Sequence, residues 1–508
     1  MTIVVIGAGM GGMATAARLA RAGHQVEIYE ASSHAGGKCQ TEWIDGFSFD
    51  TGPSLLTLPA VYRDLFLKTG KRLEHVLDLM PVNPSFDYHF ADGVNITFEN
   101  LSHNKTVSAI ENALGVSAGE SYRKLIKRAD AMWEASRSDF VEHELPPLTH
   151  LIRSPAFMKK LQIIAPHRSL RSLSRSYTDS PHVQKIIDRY ATYTGSDPRK
   201  VPAVLLTIAF VEEAFGAWHI KGGIGQLAKA LEERCRELGV IFHFNTPVRE
   251  ILHDAGRVTG ISFTRGSSQE REIKKASCVV ANADAHHVYH SLIPGAPAVT
   301  RSARRALDRA TPSLSGFSLL LGLRPDPTAK KLAHHTVYFP DDYDDEFDAI
   351  FTRNQPVPDP AIYICAPHDP TMVDEKYRAN NSHGDNWFVL VNAPRHDPVG
   401  GCDWNTPGLK ERYAEQIIST LETRGLTIRD RLVVKEIRTP ADLESRTLAP
   451  GGSIYGTSSN GMRAAFLRAK NRSPLAGLFC VGGSAHPGGG LPLVGISSEI
   501  VADAIGRP

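Results

Sequence analysis

The chain has 508 residues, 42% hydrophobic and 22% charged, which is long enough for a sizeable core and unlike the composition of a disordered chain. Lys and Arg total 57 against 55 Asp and Glu, and a net charge of +2 is too weak a field for nucleic acid to be the main partner. The six cysteines form no CxxC pair, so no metal site is expected, and no run of 18 uncharged apolar residues offers a membrane span.

In chain order, Thr2–Ile6 is a short β-branched run suited to a strand buried on both faces. Gly7-Ala8-Gly9-Met10-Gly11-Gly12 follows, a GxGxxG. Residues 13–22 read as an alanine-rich helix with Gly23 at its left-handed end. Gln25–Tyr29 reads as a second strand closed by Glu30. Each part of this strand–turn–helix–strand–acid unit has a mechanical role. Gly7 allows the tight turn, Gly9 admits a pyrophosphate to the backbone, and Gly12 lets helix and strand pack closely. The helix N-terminus offers free N–H groups and partial positive charge to phosphates. Glu30 is placed to accept hydrogen bonds from a ribose diol. No Arg follows Glu30, which disfavours a 2′-phosphate. A second glycine pair, Gly36-Gly37, precedes Lys38 and fits a larger dinucleotide threaded across the sheet.

Residues 105–215 read mostly as helices. The segment from Phe157 to Arg175 mixes apolar residues with Lys159, Lys160, His167, Arg168, Arg171 and Arg175. It reads as a solvated basic helix or as a face resting on an anionic membrane. Pro202–Phe215 is apolar nearly all round, as a buried helix or the wall of a hydrophobic channel would be. The acidic run 341–346 reads as a solvated loop without metal, since its spacing is not that of an EF-hand. Near the end, Leu478–Val481 reads as a strand, residues 482–492 as a glycine-rich turn, and Val494–Ile505 as a helix. That turn, with Gly482, Gly483, Gly490, Leu491 and Pro492, is a second place where a ligand meets backbone at a helix start.

These segments together resemble the bacterial phytoene desaturase family of FAD-dependent carotenoid desaturases. The likeness rests on Gly7–Gly12 with Glu30 and Gly36-Gly37, and on the segments 46–54, 189–195, 216–223 and 486–492. The stretch 189–195 is as similar to desaturases of hydroxylated and C30 carotenoids as to those of phytoene. Trp218-His219 and Leu493 depart from the pattern, which leaves substrate length and end group open. The resemblance implies an α/β fold: a Rossmann-like FAD-binding domain of the flavin amine oxidase/phytoene desaturase type, with a mixed, helix-rich substrate domain. The FAD-binding domain would be discontinuous, residues 1–75, 219–290 and 450–508, with 76–218 and 291–449 forming the substrate domain. The central piece then reads as a helix over 224–238, capped by Gly239, and strands over 240–244, 248–252, 258–264 and 277–281. Gly222-Gly223-Ile224-Gly225 lacks a preceding strand and a suitably spaced acid, so a separate NAD site is rejected. The expected FAD contacts are Gly7, Gly9, Gly12, Glu30, Gly36, Gly37, Lys38, Gly52, Pro53, Ser54, Gly482, Gly483, Gly490, Leu491 and Pro492, together with Val248, whose backbone would touch the adenine.

The reaction so implied is hydride transfer from an allylic C–H of an acyclic polyene to FAD, with a proton lost from the adjacent carbon. A hydrocarbon offers nothing for a Ser-His-Asp set to grip. His486, Glu212, Glu213 and His219 are the candidates for proton handling; each also has a plain structural role open to it. Cys39 and Cys480 near the flavin read as spectator thiols. Oxygenation, isomerisation or amine oxidation on the same scaffold, and flavin or polyene binding without turnover, are the alternatives. The expected partners are a lipophilic polyene, a membrane surface, and a quinone or oxygen as electron acceptor. The expected location is cytoplasmic and peripheral on the inner face of the cell membrane.

Overall fold

A computed structural model describes residues 2–145, 155–379 and 382–508. Thr2–Ile6 lies at the centre of a five-stranded sheet in the order Leu478–Cys480, Cys278–Ala281, Thr2–Ile6, Gln25–Tyr29 and Ile241–His243. Every pairing in it is parallel. The central strand alternates between two cores, as a period of two requires. Ile3 and Val5 pack with Met13, Ala17, Leu227 and Val501 from the helices Met10–Arg21, Gly225–Glu237 and Leu491–Ile505. Val4 and Ile6 face Ile251, Ile261 and Phe263 of a three-stranded antiparallel sheet, Val248–Asp254, Arg257–Phe263 and Glu272–Lys275. Burial on both sides is why the run is apolar throughout.

A seven-stranded sheet runs Leu432–Arg438, Ser315–Leu323, Asp385–Ala393, Ile362–Cys365, His335–Tyr338, Phe86–His89 and Asn95–Phe98. Only the pairing of His335–Tyr338 with Phe86–His89 is parallel. The helix Leu409–Thr423 packs on it through Tyr413, Ile417 and Leu421. Its Phe86 and Tyr88 meet a helical layer that includes Val116–Phe140, Pro181–Arg189 and Thr207–Phe215. Among the described residues no helix is long and apolar enough to cross a membrane.

Three expectations need correction. The acidic run is not wholly a solvated loop: Asp344–Asp348 is a short helix, and Glu346 is fully buried, accepting the Ala361 N–H (2.7 Å) and the Asn392 amide (2.8 Å). The basic segment is broken into the helices Pro155–Ile164 and Leu170–Ser174, and its Arg171 turns inward to Asp188 (2.9 Å) and Asp344 rather than to solvent. For Pro202–Phe215 the buried-helix alternative fails, while the channel-wall alternative is not contradicted. The segment is a 3-10 turn, Ala203–Leu206, followed by Thr207–Phe215, and Val204, Leu205, Ile208 and Phe210 are only half-buried.

Candidate functional site: a glycine-lined cradle

The first turn is built against a residue 275 positions away. Gly7 has φ +91° and its N–H donates to the Tyr29 carbonyl (2.8 Å). Asn282 follows the strand Cys278–Ala281, and its N–H donates to the Ile6 carbonyl (2.8 Å). A Cβ on Gly9 would stand 2.7 Å from the Asn282 amide nitrogen. One on Gly11 or Gly482 would stand 2.8 or 2.6 Å from its amide oxygen. A Cβ on Gly12 would lie 2.2 Å from the Gly7 carbonyl oxygen, so helix and strand touch at van der Waals limits. The first N–H groups of Met10–Arg21 have no intrahelical partners and stay available to a phosphate. Glu30 holds the turn: its carboxylate accepts the Ala8 N–H (2.7 Å) and both the N–H and hydroxyl of Ser32 (2.8 Å each). The Thr246 N–H donates to the Glu30 carbonyl (2.8 Å), which lays the chain entering Val248 beside the acid.

The second wall comes from residues 36–54. The Gly36 N–H donates to the Ala8 carbonyl (2.9 Å), and a Cβ on Gly37 would meet Gly9 Cα at 3.1 Å. Gly52 is packed so tightly that a Cβ there would sit 1.8 Å from the Lys38 carbonyl oxygen. Lys38 reaches across to the Ile454 carbonyl (2.9 Å). It is enclosed by protein yet keeps accessible surface, as a residue lining an internal space does; this burial lowers its pKa, and Asp284 opposes the shift. Ser54 exchanges a hydrogen bond with the Tyr363 hydroxyl (2.8 Å), which also bonds His335 Nδ1 (2.7 Å).

The C-terminal turn closes the cradle. Gly490, φ +98°, is the N-cap of Leu491–Ile505, with Pro492 at the start of the helix, where its missing N–H costs nothing. The Leu491 carbonyl accepts the Tyr62 hydroxyl (3.0 Å). The buried Arg468 guanidinium donates to the carbonyls of Gly483 (2.9 Å), Tyr455 (3.0 Å) and Thr457 (2.6 Å), tying the turn to residues 455–457. A Cβ on Gly489 would fall 2.4 Å from Tyr455 Cδ1. The N-terminus of Gly225–Glu237, by contrast, is already occupied: the Ile224 N–H donates to Asp50 (2.9 Å) and the Gly225 N–H to Thr41 (2.8 Å).

The four candidates for proton handling do not converge. His486 is buried, and its Nε2–H donates to the His143 carbonyl (3.0 Å); burial pushes its pKa down to about 4. His219 is paired with Asp369 (3.0 Å). Burial raises the Asp369 carboxyl, but hydrogen bonds from His219, Thr371 and Gly222 outweigh that and hold it well below the usual range. Glu213 accepts the Tyr122 hydroxyl (2.8 Å) and bonds His103, partners different from those of the adjacent Glu212. Glu212 is buried and accepts the hydroxyls of Tyr190 (2.8 Å) and Tyr193 (2.7 Å). Burial raises its pKa, against the opposing charge of Arg189. Cys39 and Cys480 are both buried; burial pushes the Cys480 thiol up to about 12 and the Cys39 thiol higher.

Sequence reasoning missed Asn282, Asp284, Arg468 and Tyr455. It also passed over the set His334, His335 and Cys365, whose donor atoms lie within 4.8 Å of one another because His335 and Cys365 are register partners on adjacent strands. The only available signal for Asn282 was its place directly after a buried apolar strand.

FAD fits the cradle: Gly9, Gly37 and Gly490 keep accessible backbone with no side chain, and a cation, Lys38, keeps accessible surface beside them. Comparisons with known proteins agree. The family described as flavin containing amine oxidoreductase matches residues 10–345. A 4,4'-diapolycopene oxygenase of a Methylomonas species is 30% identical over 99% of this chain and 97% of its own. A zeta-carotene-forming phytoene desaturase of Myxococcus xanthus is 31% identical over 99% and 93%. A 1-hydroxycarotenoid 3,4-desaturase of a Flavobacterium species is 28% identical over 99% and 98%. Among solved structures, putrescine oxidase bound to putrescine has the same fold at a TM-score of 0.63 and 15% identity, covering 99% of both chains. Cyclohexylamine oxidase from Brevibacterium oxydans matches at 0.60 and 15%, with the same coverage. The chain belongs to the flavin containing amine oxidoreductase family and is an FAD-dependent oxidoreductase.

Proposed function

We propose that the chain introduces conjugated double bonds into an acyclic carotenoid. The observation that carries this reading is its likeness, over 99% of its length, to relatives named as carotenoid desaturases and oxygenases. On this reading the segments 1–75, 219–290 and 450–508 form the FAD-binding domain. All five strands of the parallel sheet come from these three segments, which supports the division. Bound FAD supplies a two-electron acceptor. Gly9, Gly11 and the first turn of Met10–Arg21 would hold its pyrophosphate, Glu30 its ribose, and the backbone near Val248 its adenine. The start of Leu491–Ile505 would face the ring end, where its partial positive charge favours an electron-rich ring.

The polyene would lie between the cradle and the seven-stranded sheet. The half-buried Val204, Leu205, Ile208 and Phe210 offer it an apolar wall and exclude water. Glu212 remains a candidate to hold the departing proton, through Tyr193. His219 and His486, each committed to a protein partner, position loops. A membrane surface would deliver the substrate. Met158, 52% exposed on Pro155–Ile164 beside exposed Lys159, would meet it, with His167 and Arg175 of the same segment also exposed. A quinone or oxygen would take the electrons onward.

The test is co-expression in a host supplying, in separate strains, C40 phytoene, C30 dehydrosqualene and a hydroxylated acyclic carotenoid, with pigments resolved by chromatography and absorbance. A red-shifted product in any strain supports desaturation and fixes the substrate class. A product more polar but no more conjugated replaces it with oxygenation. Unchanged pigments in all three, with FAD bound, reject the proposal.

A further inference from the structure

Four arginines are buried among the described residues: Arg171, Arg189, Arg431 and Arg468. Three have conventional partners. Arg171 pairs with Asp188 and Asp344, Arg431 with Asp385, and Arg468 with three backbone carbonyls. Arg189 differs. It ends the helix Pro181–Arg189, is 7% exposed, and has no carboxylate within 4.0 Å among the described residues. One terminal nitrogen donates to the Tyr88 hydroxyl (3.3 Å) and the other to the Tyr193 hydroxyl (3.1 Å). Tyr193 in turn gives its hydrogen to Glu212 (2.7 Å), so that acid is reached through a neutral hydroxyl. The guanidinium lies 4.5 Å over the Phe86 ring and 5.1 Å over the Tyr193 ring.

A guanidinium has five N–H donors. Two are used here, one on each terminal nitrogen, and Nε has no partner among the described residues yet is not among the sealed-off buried polar atoms, so this donor reaches accessible space. A desolvated cation is costly unless it is paired. The site therefore combines free donors with a cage of Phe86, Tyr88 and Tyr193. A hydrocarbon terminus would leave those donors unmet, whereas an oxygen acceptor would meet them.

We infer that Arg189, its guanidinium held in place by the hydroxyls of Tyr88 and Tyr193, binds an oxygen atom carried on one end of the substrate, as a hydroxyl, carbonyl or carboxylate. This rests on the polyene reading above and narrows it from acyclic carotenoids in general to those oxygenated at one end. FAD also carries oxygens. Arg189 is also close enough to Tyr455 and Tyr363 of the cradle walls for its charge to act on them; its direct partners, however, are Phe86, Tyr88 and Tyr193 of the seven-stranded sheet and the helical layer.

The test uses the purified FAD-loaded chain in detergent micelles and two acyclic polyenes of equal length, a hydrocarbon and its analogue with one terminal hydroxyl. Binding is read from the shift in polyene absorbance and turnover from the appearance of conjugated product. For wild type the hydroxylated polyene should be preferred at least about tenfold in Kd. In Arg189→Met that preference should shrink about 10- to 100-fold at wild-type FAD content, and Arg189→Lys should restore part of it. Tyr88→Phe removes one of the two holds on the guanidinium and should shrink the preference a few-fold. Equal binding of both polyenes by wild type, or a preference unmoved in Arg189→Met and Tyr88→Phe, overturns the inference. Loss of FAD in Arg189→Met with the preference intact assigns the cation to the cofactor and overturns it as well. Tight, Arg189-dependent binding of the hydroxylated polyene without turnover of either supports the inference and rejects the desaturase reading. If neither polyene binds, both fail.

Discussion

Two helical glycines have the same clearance and opposite predicted effects. A Cβ on Gly12 would come 2.2 Å from the Gly7 carbonyl oxygen; a Cβ on Gly119 would come 2.2 Å from Glu111 Cγ. Neither position has a positive φ, so replacing either glycine by alanine gains about 1 kcal/mol of helix propensity. At Gly119 the obstacle is a side chain that clears the contact by rotating about χ1, so Gly119→Ala should be neutral to about 1 kcal/mol stabilising. At Gly12 the obstacle is backbone held between a central strand and its following helix, and it gives way only if the two separate. Overpacking costs about 1–3 kcal/mol, and with immovable backbone the upper end applies. The net loss for Gly12→Ala is therefore about 2 kcal/mol. The movement also drags Gly9 and Gly11 off Asn282, so FAD is lost as well. The assay is the urea midpoint of each variant together with the visible flavin absorbance per chain after gel filtration. Gly12→Ala with a wild-type midpoint and full flavin would refute the close-packing argument; a large loss in Gly119→Ala would refute the distinction between backbone and side chain.

Burial raises the Asp50 carboxyl to about 6 from an unfolded value of 3.8. The native state thus holds a proton that the unfolded chain releases, and this group's contribution falls as pH rises from 4 through 6, by about 3 kcal/mol in all. Asp50→Asn keeps the acceptor for Thr41 and the Ile224 N–H, so denaturation midpoints from pH 4 to 8 should lose that slope; parallel curves for variant and wild type would contradict it. Arg171→Met leaves Asp188, 3% exposed, without its nearest cation and should cost about 3–5 kcal/mol at pH 8. Adding Asp188→Asn should recover most of this, and additive losses in the double variant would show that the pair is not the cause. All six cysteines are buried, and burial keeps the Cys39 and Cys480 thiols protonated and poor nucleophiles, so acid precipitation should release all of the flavin, and a yellow pellet would reveal a covalent link.

The nucleotide unit was legible because every element of it is local. A β-branched run, a glycine turn, an amphipathic helix, a strand and Glu30 fall within thirty residues, and each has its own periodicity. What packs against them was not legible. Asn282 dictates why Gly9, Gly11 and Gly482 lack side chains, but only the parallel pairing of Thr2–Ile6 with Cys278–Ala281 brings it there. Glu346 reads as a solvent charge in its acidic run, and is buried because an amide from Asn392 and the N–H of Ala361, just before the strand Ile362–Cys365, reach it from the sheet side. Arg189 opens the segment 189–195, and nothing local to it indicates a role. Its meaning depends on Tyr88 and Glu212, neither of which lies near it in sequence, and on the carboxylate it lacks. The apolar run 202–215 left two readings open for the opposite reason: composition gives apolarity, but only the neighbouring layer decides whether a face is sealed or left half open.

The most direct test of the account is an anaerobic single turnover of the purified FAD-loaded chain with an acyclic polyene, following the flavin band and the polyene spectrum together. The account predicts that the flavin band bleaches while the polyene absorption moves to longer wavelength, in equal molar amounts. A flavin band that stays oxidised beside an unchanged polyene, for C40, C30 and hydroxylated substrates alike, would contradict it.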